Sequence, residues 1–341
     1  MHESRMREFG RRQFLARSSA LGIAGVLGVH HGSGAAEPPP ETTRIRLVHA
    51  PFICIAPQYL AEEFLPLEGF TEWEYLPWGM RAGGLNALAE GRADVAMWSA
   101  TELLPHLDAG EPIVVLSGVH GGCYQLFGGE RVSALRDLKG KTAAIHYFGS
   151  GDHVLLSSML AYVGMKPQQD VNWITGRELR NAMNLFADGK ADAFVGYAQE
   201  PAELRLKKVG RVIVDTAQDR PWSQYFCCMV VANRGFAQRH PIATKRALRA
   251  ILKAADICAS EPERVARYLA DKQYETRYPI GLEVMRGSAY SRWREANPED
   301  TLRFHALRLH EVGMIKSDPN KLIAQGTDWR FLNELKKELK A

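Results

Sequence analysis

The sequence lacks three features that would indicate a nucleic-acid-binding, membrane or hydrolytic protein. It has almost no charge surplus, because residues 1–36 hold five of its 43 Lys and Arg and two of its 39 Asp and Glu, leaving 38 against 37. A balanced charge offers no basic surface for nucleic acid. The apolar stretch at 20–29 is too short and glycine-rich to span a bilayer. No Gly-x-Ser-x-Gly elbow, Walker loop or His-Glu-x-x-His motif occurs. We therefore expect no nucleic-acid partner and no enzymatic activity.

The first 36 residues have the pattern of an export leader. Arg11 and Arg12 form a twin-arginine pattern, followed by the mildly apolar stretch at 20–29 and small residues at 34–36. A chance arginine pair before a disordered tail is the alternative. We expect residues 1–36 to be a twin-arginine signal peptide, residues 37–43 to be a proline-rich spacer, and the mature protein to work in the periplasm.

Cysteine is scarce, with five residues in 341, and the count is odd. In an oxidising compartment at least one of them should therefore be unpaired. Cys227 and Cys228 are adjacent in a strand-like run, which predicts that they point to opposite faces.

Short strands and helices alternate through most of the chain. Strands are predicted at 44–49, 71–78, 93–98 and 112–119, with helices at 56–64, 81–90 and 102–109. The rhythm restarts after Gly128, with strands at 142–147, 171–175, 191–195 and 211–214 and helices at 152–163, 178–188 and 200–207. A strand at 225–232 precedes a helical carboxyl-terminal part. This alternation predicts an α/β fold with mostly parallel sheets. Residues 87–95 and 185–193 resemble each other, which favours two similar halves.

The glycine-rich loop Phe148–Gly151 lies between a predicted strand and a predicted helix. Unpaired N–H groups and the helix dipole at such a helix start suit an anion. Asp152 could instead cap that helix itself, which is the commoner use of an aspartate at this position.

Six stretches together resemble periplasmic solute-binding proteins of the nitrate/sulfonate/taurine group, with an SsuA/THI5-like (NMT1-type) domain. They occur in the order of that family, at residues 56–59 with 68–70, 89–95, 109–113, 137–141, 149–150 and 189–193. The resemblance implies a type II periplasmic-binding fold, in which two α/β lobes joined by two crossing segments close over a solute. The lobes would be 44–127 plus 228–341, and 128–227.

The resemblance also implies a function. We expect the solute-binding component of an ABC importer, a monomer that captures a small organic or oxyanion solute and delivers it to a membrane permease with its ATPase. An exported THI5-like pyrimidine-synthesis enzyme using His120 or His153, or a solute sensor that docks on a membrane receptor, are the alternatives. We expect no cofactor.

Loops at the carboxyl ends of the strands would line the cleft between the lobes. The residues predicted to contact the solute are Phe52, Gln58, Trp78, Trp98, Ser99, Thr101, His120, Phe148, Gly149, Ser150, Gly151, Tyr197 and Glu200. The helix start at Gly151 favours an oxyanion, whereas the aromatic residues with Glu102 and Glu200 favour a flat or amine-bearing organic solute. Arg81 is the one evident cation close to Trp78 in the sequence.

His120 and Cys123, with Cys54 and Cys227 near them in space, could ligate a transition metal. Two structural interpretations compete with metal binding. Buried thiols behave as small hydrophobic groups, and Cys123 could form a disulfide with Cys227 or Cys228 across the crossings. The THI5-type iron motif CCCFC is absent, and the prediction is no metal.

Overall fold

Two five-stranded sheets, each packed against helices, organise the described chain. The computed structural model describes residues 37–79, 83–176 and 181–340, so the predicted signal peptide and Arg81 lie outside the described residues. The strands are β1 Arg44–His49, β2 Glu72–Pro77, β3 Val95–Ser99, β4 Ile113–Gly121, β5 Tyr124–Gly128, β6 Thr142–Ile145, β7 Asn172–Thr175, β8 Ala193–Tyr197, β9 Arg211–Asp215 and β10 Phe226–Asn233. The helices are α1 Ala56–Leu60, α2 Gly83–Ala89, α3 Ala100–Asp108, α4 Gly151–Tyr162, α5 Pro167–Asp170, α6 Asn181–Ala187, α7 Glu200–Lys207, α8 Arg234–Arg239, α9 Pro241–Ser260, α10 Pro262–Asp271, α11 Tyr278–Gly287, α12 Pro298–Glu311, α13 Pro319–Gly326 and α14 Arg330–Glu338.

The two sheets have matching topologies. The first has the order β2-β1-β3-β10-β4 and the second the order β7-β6-β8-β5-β9. In each sheet one strand, β10 or β5, runs antiparallel to both of its neighbours. The other strands of each sheet run in one direction, so the mostly parallel α/β fold predicted from the sequence is confirmed.

The resemblance between residues 87–95 and 185–193 has a structural counterpart. Gly91 and Gly189 both adopt positive φ, +70° and +72°, which glycine accepts without steric cost. Three residues after each glycine, an aspartate accepts a hydrogen bond from the backbone of a strand in its own sheet, β1 in the first sheet and β6 in the second. Asp94 accepts a hydrogen bond from the backbone N–H of Arg46 (2.8 Å), and Asp192 accepts one from that of Thr142 (3.0 Å). The two halves thus share the same local arrangement, a positive-φ glycine followed by an aspartate that is hydrogen-bonded to a strand backbone.

Strand β5 was not predicted, and it changes where the chain passes between the sheets. Residues 124–127 fall in the first predicted lobe, yet β5 pairs with β8 and β9 of the second sheet. The first passage therefore lies at Gly122 and Cys123, between β4 and β5. The second passage lies between Asp215 and Phe226, between β9 and β10. These two crossing segments connect the sheets.

The carboxyl-terminal helices α9, α13 and α14 pack on the first sheet, whereas α12 packs against α4 and α3. The 20-residue helix α9 buries one apolar face, including Leu248, Ile251 and Leu252, and it begins at Pro241, which favours a first helical turn. Within the described residues, no helix is both long enough and apolar enough to cross a membrane.

Candidate functional site

A small enclosed cavity lies between the two sheets, at the carboxyl ends of β1 and β3. Its volume is about 30 Å³, and its walls come from both sheets and from the crossing segment at Cys123. One water needs roughly 10–15 Å³, so this cavity holds one or two waters. The lining residues are Ala50, Phe52, Cys54, Ile55, Met97, Trp98, Ser99, Glu102, Cys123, Tyr124, Tyr197 and Cys228. Among these described lining residues none is lysine or arginine.

Aromatic side chains form much of the cavity wall. The ring of Phe52 lies 5.6 Å from that of Trp78 and 4.7 Å from that of Tyr197. Trp98 lines the cavity directly, and the buried Nε1 of Trp78 has no hydrogen-bond partner among the described residues. An unpaired buried N–H costs free energy unless a ligand accepts from it.

Glu102 is the acidic group of the cavity. Its carboxylate accepts hydrogen bonds from the Tyr147 hydroxyl (2.5 Å) and from the backbone N–H of Gly151 (3.1 Å). Burial raises the pKa of Glu102 to about 7, against the opposing effect of the Tyr147 hydrogen bond. The start of α4 is therefore already occupied by a carboxylate, which differs from the open anion site that the glycine loop suggested.

A buried ion triad supports this wall from the second sheet. The imidazole of His146 lies 2.9 Å from Glu200 through Nε2 and 3.0 Å from Asp152 through Nδ1. Burial lowers the pKa of His146, but the two carboxylates outweigh burial and hold this pKa well above its usual value. Asp152 also accepts from the backbone N–H of His146 (3.0 Å). The triad fixes the end of β6 against the start of α4.

Ser99, Thr101 and Gly151 join the two halves beside the cavity. The Thr101 hydroxyl donates to the carbonyl oxygen of Gly151 (3.1 Å), and the Tyr124 hydroxyl donates to Ser99 (3.0 Å). A Cβ added at Gly151 would press on the Tyr124 hydroxyl and lie 2.7 Å from Ser99 Oγ. Close approach of the two halves therefore depends on glycine at this position.

Four predicted site residues have roles away from the cavity. The Gln58 amide bridges the Val48 carbonyl and the Met97 N–H, so it holds β1 to β3. The Ser150 hydroxyl donates to the Tyr147 carbonyl oxygen, and the Gly149 N–H donates to His153 Nδ1. The side chain of Phe148 is 64% exposed, because β6 ends at Ile145 and the loop turns outward.

The set predicted to contact the solute omits residues that line or support the cavity, namely Glu102, Tyr124, His146, Tyr147 and Asp152. His146 and Tyr147 directly precede the glycine-rich loop Phe148–Gly151. Their imidazole and aromatic side chains at the end of a predicted strand are a sequence signal for a site there. Tyr124 belongs to the unpredicted strand β5.

Four of the five cysteines lie together at the cavity wall. Cys123 forms a disulfide with Cys227, which is one of the two predicted pairings and joins the first crossing segment to the start of β10. The prediction that Cys227 and Cys228 face opposite ways is wrong, since their sulfurs lie 3.8 Å apart. An irregularity in the register of β10 at these residues accounts for this. A hydrogen bond with Cys228 lowers the pKa of the Cys54 thiol to about 6 despite burial, with a further contribution from His120.

A family model described as NMT1/THI5 like matches residues 74–265, more than half of the chain. The chain belongs to the NMT1/THI5-like family. The matched region covers all of β3 to β10 and the cavity residues from Met97 onward. The resemblance predicted from the six sequence stretches is thereby confirmed.

Several named proteins resemble this member of the NMT1/THI5-like family. The taurine-binding periplasmic protein of Escherichia coli (strain K12) is 24% identical over 192 residues, which cover 54% of this chain and 58% of that protein. The periplasmic nitrate-binding protein NrtA from Synechocystis PCC 6803 superposes with a TM-score of 0.73 at 17% identity, covering 89% of this chain and 90% of that chain. The alkanesulfonate-binding protein SsuA from Xanthomonas axonopodis pv. citri, bound to MOPS, gives 0.66 at 18% identity, covering 86% and 100%. These likenesses confirm the periplasmic-binding fold.

Proposed function

We propose that this protein is the solute-binding component of an ABC importer and captures its solute in the cavity between the two sheets. The observation that carries the proposal is the position of the cavity, whose walls come from both halves while two crossing segments connect them. The taurine-, nitrate- and alkanesulfonate-binding relatives support it by their names.

The solute enters when the halves separate. A volume of about 30 Å³ is too small for an organic molecule, so the described form corresponds to a closed state. The halves are the proposed lobes, and the crossing segments at Gly122–Cys123 and between Asp215 and Phe226 are the proposed hinge. Solute binding shifts the population toward the closed form because only that form contacts the solute from both sides.

The solute is a small organic molecule with an apolar or flat part and a hydrogen-bond donor such as an amine. Aromatic rings supply the apolar contacts, and the Glu102 carboxylate is the acceptor in the wall. A bare oxyanion would meet this carboxylate without a lysine or arginine among the described lining residues. An oxyanion would require a cation in the site, and Arg81 is the one that lies close to Trp78 in the sequence.

The protein is proposed to act as a periplasmic monomer, exported by the twin-arginine route, without catalysing a reaction. Its partner is a membrane permease with an ATPase. The closed shape is what the permease recognises.

Comparison of the native and denatured masses of gently purified periplasmic protein tests the proposal. A small organic mass that is lost on denaturation identifies the solute and supports a binding function. If no mass is lost, a thermal-shift screen of amines, pyrimidines, sulfonates and inorganic oxyanions follows. No stabilisation by any member of this screen would overturn the proposed solute class.

Two variants decide the charge of the solute. Glu102→Gln should weaken binding of an amine-bearing solute, whereas Arg81→Gln should leave it unchanged. The opposite result, with Arg81→Gln abolishing binding, would assign an oxyanion to the site.

A further inference from the structure

Four side chains to which the proposed solute function assigns no specific role converge at one point in the cavity wall. They come from separate segments, with Cys54 in the turn after β1, His120 on β4, Cys123 in the first crossing and Cys228 on β10. One ligand atom from each residue lies within 4.8 Å of the others. Cys54, His120 and Cys228 are at most 4% exposed.

The spacing of these atoms approaches that of a metal centre. In a tetrahedral zinc site the metal–sulfur distance is about 2.3 Å, so two thiolates lie about 3.8 Å apart. The ligand atoms of the cluster lie within 4.8 Å of one another, so each distance needs to shorten by about 1 Å or less to reach the separation of about 3.8 Å. Side-chain rotations supply a contraction of this size without moving the strands.

The orientation of His120 provides a second, independent observation. Its Nδ1 lies 3.4 Å from the carbonyl oxygen of Gly121, and its buried Nε2 has no hydrogen-bond partner among the described residues. Metal-binding histidines commonly direct one ring nitrogen toward a carbonyl and leave the other free for the ion. A buried nitrogen without a partner calls for an explanation, and coordination of an ion satisfies it.

The state of the disulfide sets the number of donors. While Cys123 is bonded to Cys227, the available donors are the thiols of Cys54 and Cys228 and the imidazole of His120. When an external dithiol reduces the disulfide, it supplies two electrons and two protons and is itself oxidised to a disulfide, and the Cys123 sulfur becomes a fourth donor in the same cluster. Two or three thiolates with an imidazole form a soft donor set, which selects Cu⁺ or Zn²⁺ over Mg²⁺ or Ca²⁺.

We propose that Cys54, Cys228 and His120 form a binding site for a thiophilic d¹⁰ metal ion, Cu⁺ in the disulfide form and Zn²⁺ when reduction adds Cys123. Binding exchanges the thiol protons for the ion and involves no change in the metal's oxidation state. The site goes beyond the proposed importer function and does not depend on it, because none of the argument invokes a solute. The ion would sit in the wall of the cavity, where Cys54, Cys123 and Cys228 reach the lining.

Anaerobic competition with a chromogenic Cu⁺ chelator tests the three-donor form. The full-length folded protein is used with its disulfide intact, after alkylation in denaturant and mass measurement have shown Cys54 and Cys228 to be free. We expect withdrawal of one equivalent of Cu⁺. Cys54→Ser, Cys228→Ser and His120→Asn should each weaken binding by roughly 100-fold or more, since removing even an outer partner of a ligand costs about 10–100-fold.

Cys258→Ser is the matched control, because Cys258 is also a buried free thiol and lies outside the cluster. It should bind Cu⁺ as the parent protein does. An equal loss in Cys258→Ser, or no withdrawal of Cu⁺ by folded parent protein with both thiols free, would overturn the proposal.

The four-donor form has its own pair of variants. Cys227→Ser and Cys123→Ser both remove the disulfide, but only Cys227→Ser leaves the Cys123 sulfur in the cluster. We expect Cys227→Ser to bind Zn²⁺ at least roughly tenfold more tightly than Cys123→Ser, and to give a more intense thiolate-to-metal charge-transfer band with Co²⁺ as a probe, because three thiolates instead of two would bind the metal. Equal Zn²⁺ affinity and equal band intensity in the two variants would remove Cys123 from the donor set.

Discussion

The backbone N–H of Gly151 donates a hydrogen bond to the carboxylate of Glu102 across the two halves of the protein, at 3.1 Å. Gly151 begins α4 beside the second sheet, and Glu102 lies in α3 beside the first. The carboxylate therefore takes the place at the helix start that a bound anion would take. In the proposed binding function, this contact stabilises the closed form and disfavours anionic solutes.

Glu102→Gln should change how stability depends on pH. Burial raises the folded-state pKa of Glu102 from 4.5 to about 7. Between these values the folded state holds a proton that the unfolded state has released, so the free energy of unfolding falls as pH rises and then levels off above about 7. The loss is about 3 kcal/mol at about 1.4 kcal/mol for each pKa unit. Denaturant unfolding of both proteins across this pH range measures it.

Glutamine keeps the size of Glu102 and one of its two acceptor oxygens but does not titrate. The variant should therefore gain stability relative to the parent as pH rises from about 5 to about 8. Parallel stability curves for the two proteins would contradict the assignment of the raised pKa to Glu102.

Gly151→Ala should hinder closure. The new methyl group would lie 2.7 Å from Ser99 Oγ across the contact between the halves, and it would press on the Tyr124 hydroxyl, which donates to Ser99. Overpacking of this kind costs about 1–3 kcal/mol, which corresponds to a roughly 5- to 150-fold loss of solute affinity. Titration calorimetry with the identified solute and small-angle scattering with solute present measure affinity and closure. Gly287→Ala is the control, since a Cβ there meets nothing within 4 Å. Equal effects in both variants would contradict the expectation that the methyl group at position 151 hinders closure.

Trp98→Ala should weaken solute binding by roughly tenfold or more, because Trp98 lines the cavity and is 5% exposed. Phe148→Ala is the matched aromatic control at the neighbouring loop and should leave affinity unchanged, since Phe148 is 64% exposed. Equilibrium binding is measured only on variants with cooperative unfolding. A larger loss in Phe148→Ala than in Trp98→Ala would mean that the solute binds outside the described cavity.

Cys227→Ser should lower the free energy of unfolding by about 2–5 kcal/mol. The Cys123–Cys227 disulfide spans 104 residues, and a loop of this length gives a large entropic constraint on the unfolded chain. Denaturant unfolding without added metal measures the change, and Cys258→Ser controls for the general effect of replacing a buried thiol. Equal stability of Cys227→Ser and the parent would show that the disulfide does not constrain the unfolded state.

The regular elements followed from local patterns. Strand β1 and helix α7 have the bounds that their residues predicted, because apolar periodicity acts within one segment. The family could be recognised from short stretches whose order along the chain is itself sequence information. The repeated Gly-x-x-Asp pattern at Gly91 and Gly189 likewise revealed two similar halves before the sheets were known.

Contacts between distant segments required the tertiary structure. Strand β5 owes its conformation to pairing with β8 and β9, which lie far along the chain, so its own five residues gave no sufficient signal. The loop at Phe148 was recognised, but only the folded chain shows that the ring points to solvent and that Glu102 occupies the helix start. The cluster of Cys54, His120, Cys123 and Cys228 joins four segments. Sequence determined the elements and the family, while the packing of the two halves decided which side chains meet.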